Sequence, residues 1–262
     1  YRRQTHLHLV VERPRPPRIW RHTLVETLHM GGQHQVEMLT RIVKDYIEPH
    51  SLPGGALLSS AYFAPVQWWQ KVYRHRDIYI ERHDHFVKQT YRNRCIIATP
   101  NGIQPLTVPI EKPEGGRRDK TSTRNVRISD HGQWRRIHWN ALCSSYGESP
   151  FFEYYADDIR PFFEQQWEYL FDFNMAITRK LCELLNLRPS FHETSCFLSA
   201  ANATSMELKD YREAIRPKHP LPDPSFVPTP YYQVYQQRFG FQPNLSILDL
   251  LFNMGNEAVL YL

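Results

Sequence analysis

The stretch from Ala56 to Glu81 constrains the fold of this chain most, because strand, helix and strand signals follow one another within it. Ala56-Leu57-Leu58-Ser59-Ser60-Ala61-Tyr62 is a short apolar run after the turn residues Ser51-Leu52-Pro53-Gly54-Gly55, and it reads as a buried strand. Pro65 stops it. Val66 to Arg74 carries Trp68, Trp69, Val72 and Tyr73 and reads as a short helix. Asp77-Ile78-Tyr79-Ile80-Glu81 reads as a second strand. Two strands separated by a helix pair in parallel, since a crossover connection suits parallel strands and a tight turn suits antiparallel ones. The expected class is therefore α/β, with an N-terminal strand-helix-strand unit in a mixed sheet.

The rest of the chain extends that plan. Cys95 to Thr99 and Leu106 to Ile110 flank Pro100-Asn101-Gly102, which predicts a hairpin. Residues 112–125 are charged and read as a mobile surface loop, and Val126-Arg127-Ile128 as a small strand. A helical middle section follows. Helices are predicted over His131–Tyr146, from Pro150 onward, and over Tyr169–Leu187, where Pro189 ends the pattern. Phe191 to Leu198 reads as a strand. Six prolines between residues 216 and 230 predict an extended crossing. Phe239 to Gly255 predicts a closing helix with Ser246 as N-cap and Gly255 as C-cap.

Composition narrows the function classes. The net charge of +5 over 262 residues is concentrated in residues 1–29, where six arginines face two glutamates, so residues 30–262 carry only +1. A near-neutral body lacks the basic footprint of a nucleic-acid binder. Residues 1–54 read as a basic leader containing Arg13-Pro14-Arg15-Pro16-Pro17, disordered or upstream of a start at Met30 or Met38, with residues 55–262 as one domain. The four cysteines form no CxxC pair, and no 18-residue apolar run exists to span a membrane.

The densest chemistry lies in Glu81-Arg82-His83-Asp84-His85-Phe86-Val87-Lys88-Gln89-Thr90-Tyr91-Arg92-Asn93-Arg94, directly after the second strand. Ligands in open α/β sheets bind beyond the carboxyl ends of the strands. Glu81 and Asp84 offer general bases, Arg92 and Arg94 forked donors for phosphate or carboxylate, and Lys88 a point charge. Gln89 and Asn93 add neutral donors and acceptors. Tyr62 to Gln67 marks a strand end and a helix start where an anion could be received, although glycines are lacking. His83 and His85 flank Asp84, but no metal-ligand spacing joins them to His75, His131 or His138, and no metal is assigned. Ser144, Ser145 and Ser199 lack a nucleophile-elbow context, and Cys143 reads as packing. Trp134, His138 and Trp139, and the Tyr231-Tyr232-Gln233 run, read first as core and crossing residues.

Several of these segments resemble the WbqC-like family of bacterial proteins: Ala61-Tyr62-Phe63-Ala64-Pro65, Asp77 to Glu81, Lys88 to Arg94, Asn101-Gly102, Leu106 to Pro109, Trp134 with Tyr146 and Pro150-Phe151, and Pro243 to Asn253. The resemblance runs over about residues 56–257 with the motifs in order. Where many members carry paired carboxylates after the second strand, this chain has Glu81-Arg82-His83-Asp84-His85, so no acid inherits a role. The resemblance implies a cytoplasmic transferase that adds glycine or another acyl group to a nucleotide- or lipid-linked sugar in surface-polysaccharide biosynthesis. On that reading Arg92, Arg94 and Lys88 hold a phosphate or carboxylate, Glu81 or Asp84 deprotonates the attacking group, and Tyr62 and Gln67 line the acceptor side. The partner is then a phosphate- or carboxylate-bearing small molecule such as a nucleotide sugar; no cofactor is named. The alternative is a non-catalytic binding or assembly partner in an envelope pathway.

Overall fold

The computed structural model describes residues 52, 54–112 and 121–262. The expectation for the leader at 1–54 falls almost wholly outside these residues, as does the middle of the 112–125 loop. In chain order the elements are β1 (Ala56–Ser59), α1 (Val66–Arg74), β2 (Asp77–Glu81), β3 (Arg94–Thr99), β4 (Gly102–Thr107), α2 (Trp134–Tyr146) and α3 (Phe152–Ile159). They continue with α4 (Pro161–Glu164), α5 (Leu170–Leu184), β5 (Ser190–Glu193), α6 (Ala200–Ser205), β6 (Lys209–Asp210), α7 (Gln236–Phe239) and α8 (Ile247–Met254), closed by a 3-10 turn over Gly255–Tyr261.

The protein is α/β with the strand-helix-strand unit, hairpin and helical middle that the sequence predicts. Parallel and antiparallel pairings are segregated into two sheets. Four strands pair in parallel in the order β5-β2-β1-β6, and β3 pairs with β4 alone. The alternation of β1 explains how both faces of the sheet are covered. Ala56 and Leu58 join Ile78 and Ile80 in the main core with Trp68, Trp69 and Val72 of α1. Leu57 points the other way, into a smaller cluster with Leu198, Ala203 of α6 and Leu208, against which Tyr79 packs. Each large apolar side chain removed from water in this way contributes about 1.5–3 kcal/mol.

Local chemistry sets the element ends. Pro65 opens α1 because its missing N–H is no loss there. The exposed N–H groups of the first turn are taken from outside: Val66 N donates to Leu245 O at 3.0 Å, and Gln67 N to Asn244 Oδ1 at 2.9 Å. The helix start read as an anion receptor is thus already occupied by protein acceptors. Ser246 caps α8 through Leu248 N, and Gly255 ends it at φ 57°. Val126 to Ile128 makes single bridges to Tyr169 and Ile110 and is no strand of its own. Residues 121–125, expected within a mobile loop, pair with residues 82–86 instead; Phe86 N donates to Thr121 O at 2.8 Å and Arg124 N to Arg82 O at 2.9 Å. The proline-rich crossing has no helix or strand between residues 216 and 230.

Candidate functional site

Strand order places the site. From β1 the chain runs outward through β2 to β5, then returns past both to lay β6 on the free side of β1. The order therefore reverses between β1 and β6, and the crevice beyond the carboxyl ends at such a reversal is where α/β sheets receive ligands. Ser59, Ser60 and Ala61 from the end of β1, Thr90 to Arg92 from the loop after β2, and Tyr211, Arg212 and Arg216 after β6 line it. It is nearly closed, at about 10 Å³, room for one water.

Two of its lining residues, Arg92 and Arg212, are each held by carboxylates that lie behind them. Arg92 Nη2 donates to Ser59 Oγ at 2.9 Å and to Asp84 Oδ2, and Thr123 Oγ1 donates to Asp84 Oδ1 at 2.5 Å. Arg92 Nε is buried with no protein acceptor among the described residues. Asp84 keeps 11% of its side chain accessible. Glu81, at the end of β2, is fully buried. Its Oε1 accepts from His83 N at 2.8 Å and Thr194 Oγ1 at 2.9 Å; its Oε2 accepts from Leu198 N at 2.8 Å and Arg212 Nη1 at 3.3 Å. Arg212 also grips both oxygens of Asp210, at 2.9 and 2.6 Å. Three carboxylates here face two guanidinium groups, so the crevice does not attract anions by net charge.

A second group of cations lies next door. Lys88, Gln89, Arg216, Lys218 and His219 line an open cleft of about 410 Å³. Arg216 belongs to both the cleft and the crevice and pairs with Glu213. Lys88 and Lys218 are exposed, and among the described residues no acidic side chain pairs with either.

The remaining sequence candidates lie elsewhere. Tyr62 is fully buried, 2.9 Å from His138 Nδ1 and edge-on to Phe63; burial pushes its pKa well above the ordinary value. Gln67 faces the crossing, donating to Asp223 Oδ2 at 2.9 Å and accepting from Asn244 Nδ2 at 3.1 Å. Asn93 donates through Nδ2 to Val108 O at 2.9 Å, extending the hairpin pairing. Arg94 begins β3 opposite Thr107, outside the lining of both cavities. Thus Arg92 lines the crevice with Asp84 bonded to it and Glu81 bonded to Arg212, Lys88 and Gln89 line the adjoining cleft, and Tyr62, Gln67, Asn93 and Arg94 line neither. Sequence reasoning missed Arg212, Arg216, Lys218 and His219. The one available signal was the basic spacing after Asp210, and nothing local linked it to β1.

The fold defines an α/β protein with a four-stranded parallel sheet, a separate hairpin and a small crevice at the reversal of strand order. The sequence profile of the WbqC-like protein family matches residues 60–219 and 223–261, and the chain belongs to that family. It is similar to a protein of Mycobacterium tuberculosis (strain ATCC 25618 / H37Rv) named "Uncharacterized protein Rv1507c", at 27% identity over 197 residues, 68% of this chain and 83% of that one. No solved structure matches the chain. Among the described residues, no helix is long and apolar enough to cross a membrane.

Proposed function

We propose that this protein is a transferase that adds an acyl or aminoacyl group to a nucleotide- or lipid-linked sugar, working in the cytoplasm at the carboxyl-end crevice. The observation that carries the reading is the assembly of Ser59, Asp84 and Arg92 at the sheet reversal, beside a cationic cleft. In the transfer, a sugar hydroxyl or amine attacks the acyl carbon of an activated donor. The new ester or amide bond forms, the bond from acyl group to carrier breaks, and the proton passes to Asp84 and then to the leaving group. Arg92 orients Asp84, and its guanidinium charge favours the oxygen on which negative charge develops. Glu81 acts as a positioning residue that fixes Arg212.

The test is binding and turnover with a uridine-diphosphate sugar. Arg92→Ala and Ser59→Ala are expected to weaken binding at least tenfold, about 1.4 kcal/mol, and Asp84→Asn to abolish transfer while binding persists. Unchanged binding in folded Arg92→Ala and Ser59→Ala proteins would remove the crevice from consideration. A second reading, a binding module without chemistry, draws on the four-fold satisfied Glu81 and on a crevice with room for a single water. It expects Asp84→Asn to bind and function as the parent does.

A further inference from the structure

We infer that the cleft lined by Lys88, Gln89, Arg216, Lys218 and His219 binds a diphosphate group, whose substituent reaches the neighbouring crevice through Arg216. This rests on the crevice being the transfer site, as proposed above.

Charge distribution separates the two cavities. In the crevice each of these guanidinium groups is already held by carboxylates: Arg92 by Asp84, Arg212 by Asp210 and Glu81. An incoming anion there would compete with a partner in place. Among the described residues the cleft lining contains no acidic side chain, and the nearby Glu213 is engaged by Arg216. Lys88 and Lys218 therefore present two positive charges to solvent from two separate segments: Lys88 on the loop after β2, Lys218 on the segment after β6. Two positive charges match the two negative charges of a diphosphate diester at neutral pH.

Donor type and size point the same way. A planar carboxylate is best met by the fork of an arginine, whereas a lysine is a point charge with rotatable donors that suits a tetrahedral phosphate. The volume of about 410 Å³ falls in the range of small-molecule sites and exceeds the need of one phosphate. The backbone is also unusual in both segments. Gln89 at φ 60° and His219 at φ 49° occupy the left-handed region, a cost that surrounding structure must sustain and that clusters at ligand sites. Arg216 lines both cavities, so the cleft adjoins the crevice that Ser59 and Arg92 line.

Calorimetric titration of the full chain with inorganic diphosphate and inorganic phosphate tests the inference. Diphosphate is expected to bind at least tenfold more tightly than phosphate. Lys88→Ala combined with Lys218→Ala, both exposed positions that the fold tolerates, is expected to lower diphosphate affinity at least tenfold. Equal affinity for the two anions, or undiminished diphosphate binding in the double variant, would overturn it. Should that happen while Ser59→Ala still weakens a uridine-diphosphate sugar, the transfer-site reading stands without the inference. Should diphosphate behave as expected while Ser59→Ala and Arg92→Ala leave the sugar conjugate unaffected, the cleft stands and the transfer site falls. Farnesyl diphosphate in micelles and the uridine-diphosphate sugar form the last two arms. Tighter binding of one than of free diphosphate assigns the lipid or the nucleotide source, and parity of all three confines recognition to the diphosphate itself.

Discussion

Two buried aspartates hold the proline-rich crossing to the body of the protein, and their surroundings drive them in opposite directions. Asp223 meets Lys71, which is fully buried in α1, at 2.7 Å, and also receives Ser225 Oγ at 2.6 Å and Gln67 Nε2 at 2.9 Å. Burial opposes its charge, but the hydrogen bonds from Lys71, Ser225 and Gln67 outweigh it and lower the pKa. Lys71 also lies 4.8 Å from the centre of the Tyr211 ring, and burial lowers its own pKa despite Asp223. Asp249 in α8 receives Tyr146 Oη at 2.9 Å, Tyr231 Oη at 2.7 Å and Gln233 Nε2 at 2.9 Å, all neutral. Burial raises its pKa to about 6, although those donors pull it down. The lesson is that a comparable number of hydrogen bonds does not stand in for a counter-charge at a buried carboxylate.

The largest expected effect breaks the charged anchor. Lys71→Ala or Asp223→Ala leaves one buried charge uncompensated, and urea unfolding should register a loss of about 3–5 kcal/mol. The double replacement Lys71→Met with Asp223→Leu should recover most of that loss; if it does not, the anchor is more than an ion pair. The neutral anchor is sharpened by pH. Native Asp249 takes up a proton as pH falls through about 6, whereas an unfolded aspartate waits until about 3.9, so this group adds stability toward acid. His138 opposes it: burial depresses its pKa to about 4, and the unfolded chain takes up that proton near pH 6.5. Asp249→Asn removes the compensating term. Its stability should fall about 1.4 kcal/mol per pH unit more steeply than the parent's between about pH 6 and 4. Parallel stability curves would show that Asp249 does not hold the proton. The smallest effect concerns the helix carrying Asp249: Ser246→Ala removes the cap on Leu248 N and the bond to Phe63 O, and should lower stability by about 1 kcal/mol in a thermal melt.

Both anchors were invisible in the sequence for the same reason. Gln67 and Asp223 are separated by 156 positions, Tyr146 and Asp249 by 103, and no local pattern links them. Elements governed by neighbours were legible. Pro65 and the alternation after it fixed α1 and β2 to the residue, and Ser246 and Gly255 bounded the last helix as expected. β6 is two residues long and carries Lys209 and Asp210, so its strand character comes only from pairing with β1. Asp84, Lys88 and Arg92 were nominated because they lie in a loop after a parallel strand, and the structure places Arg92 with Asp84 at the crevice and Lys88 in the cleft. Tyr62 and Gln67 were nominated by the same rule; they follow β1 in sequence, and their side chains turn into the core and toward the crossing. Arg212 to His219 required knowledge that the chain returns to the free side of β1.

The anchoring of the crossing also orders the molecule in time. Lys71 finds Ser225 and Asp223 only after a loop of about 150 residues has closed, and contacts of such separation form late because chain entropy must be lost before they give any return. The segment that carries Arg216, Lys218 and His219 leads into that late contact. During refolding the local β1-α1-β2 unit therefore precedes both β6, which pairs with β1 across 153 positions, and the cationic wall that follows β6.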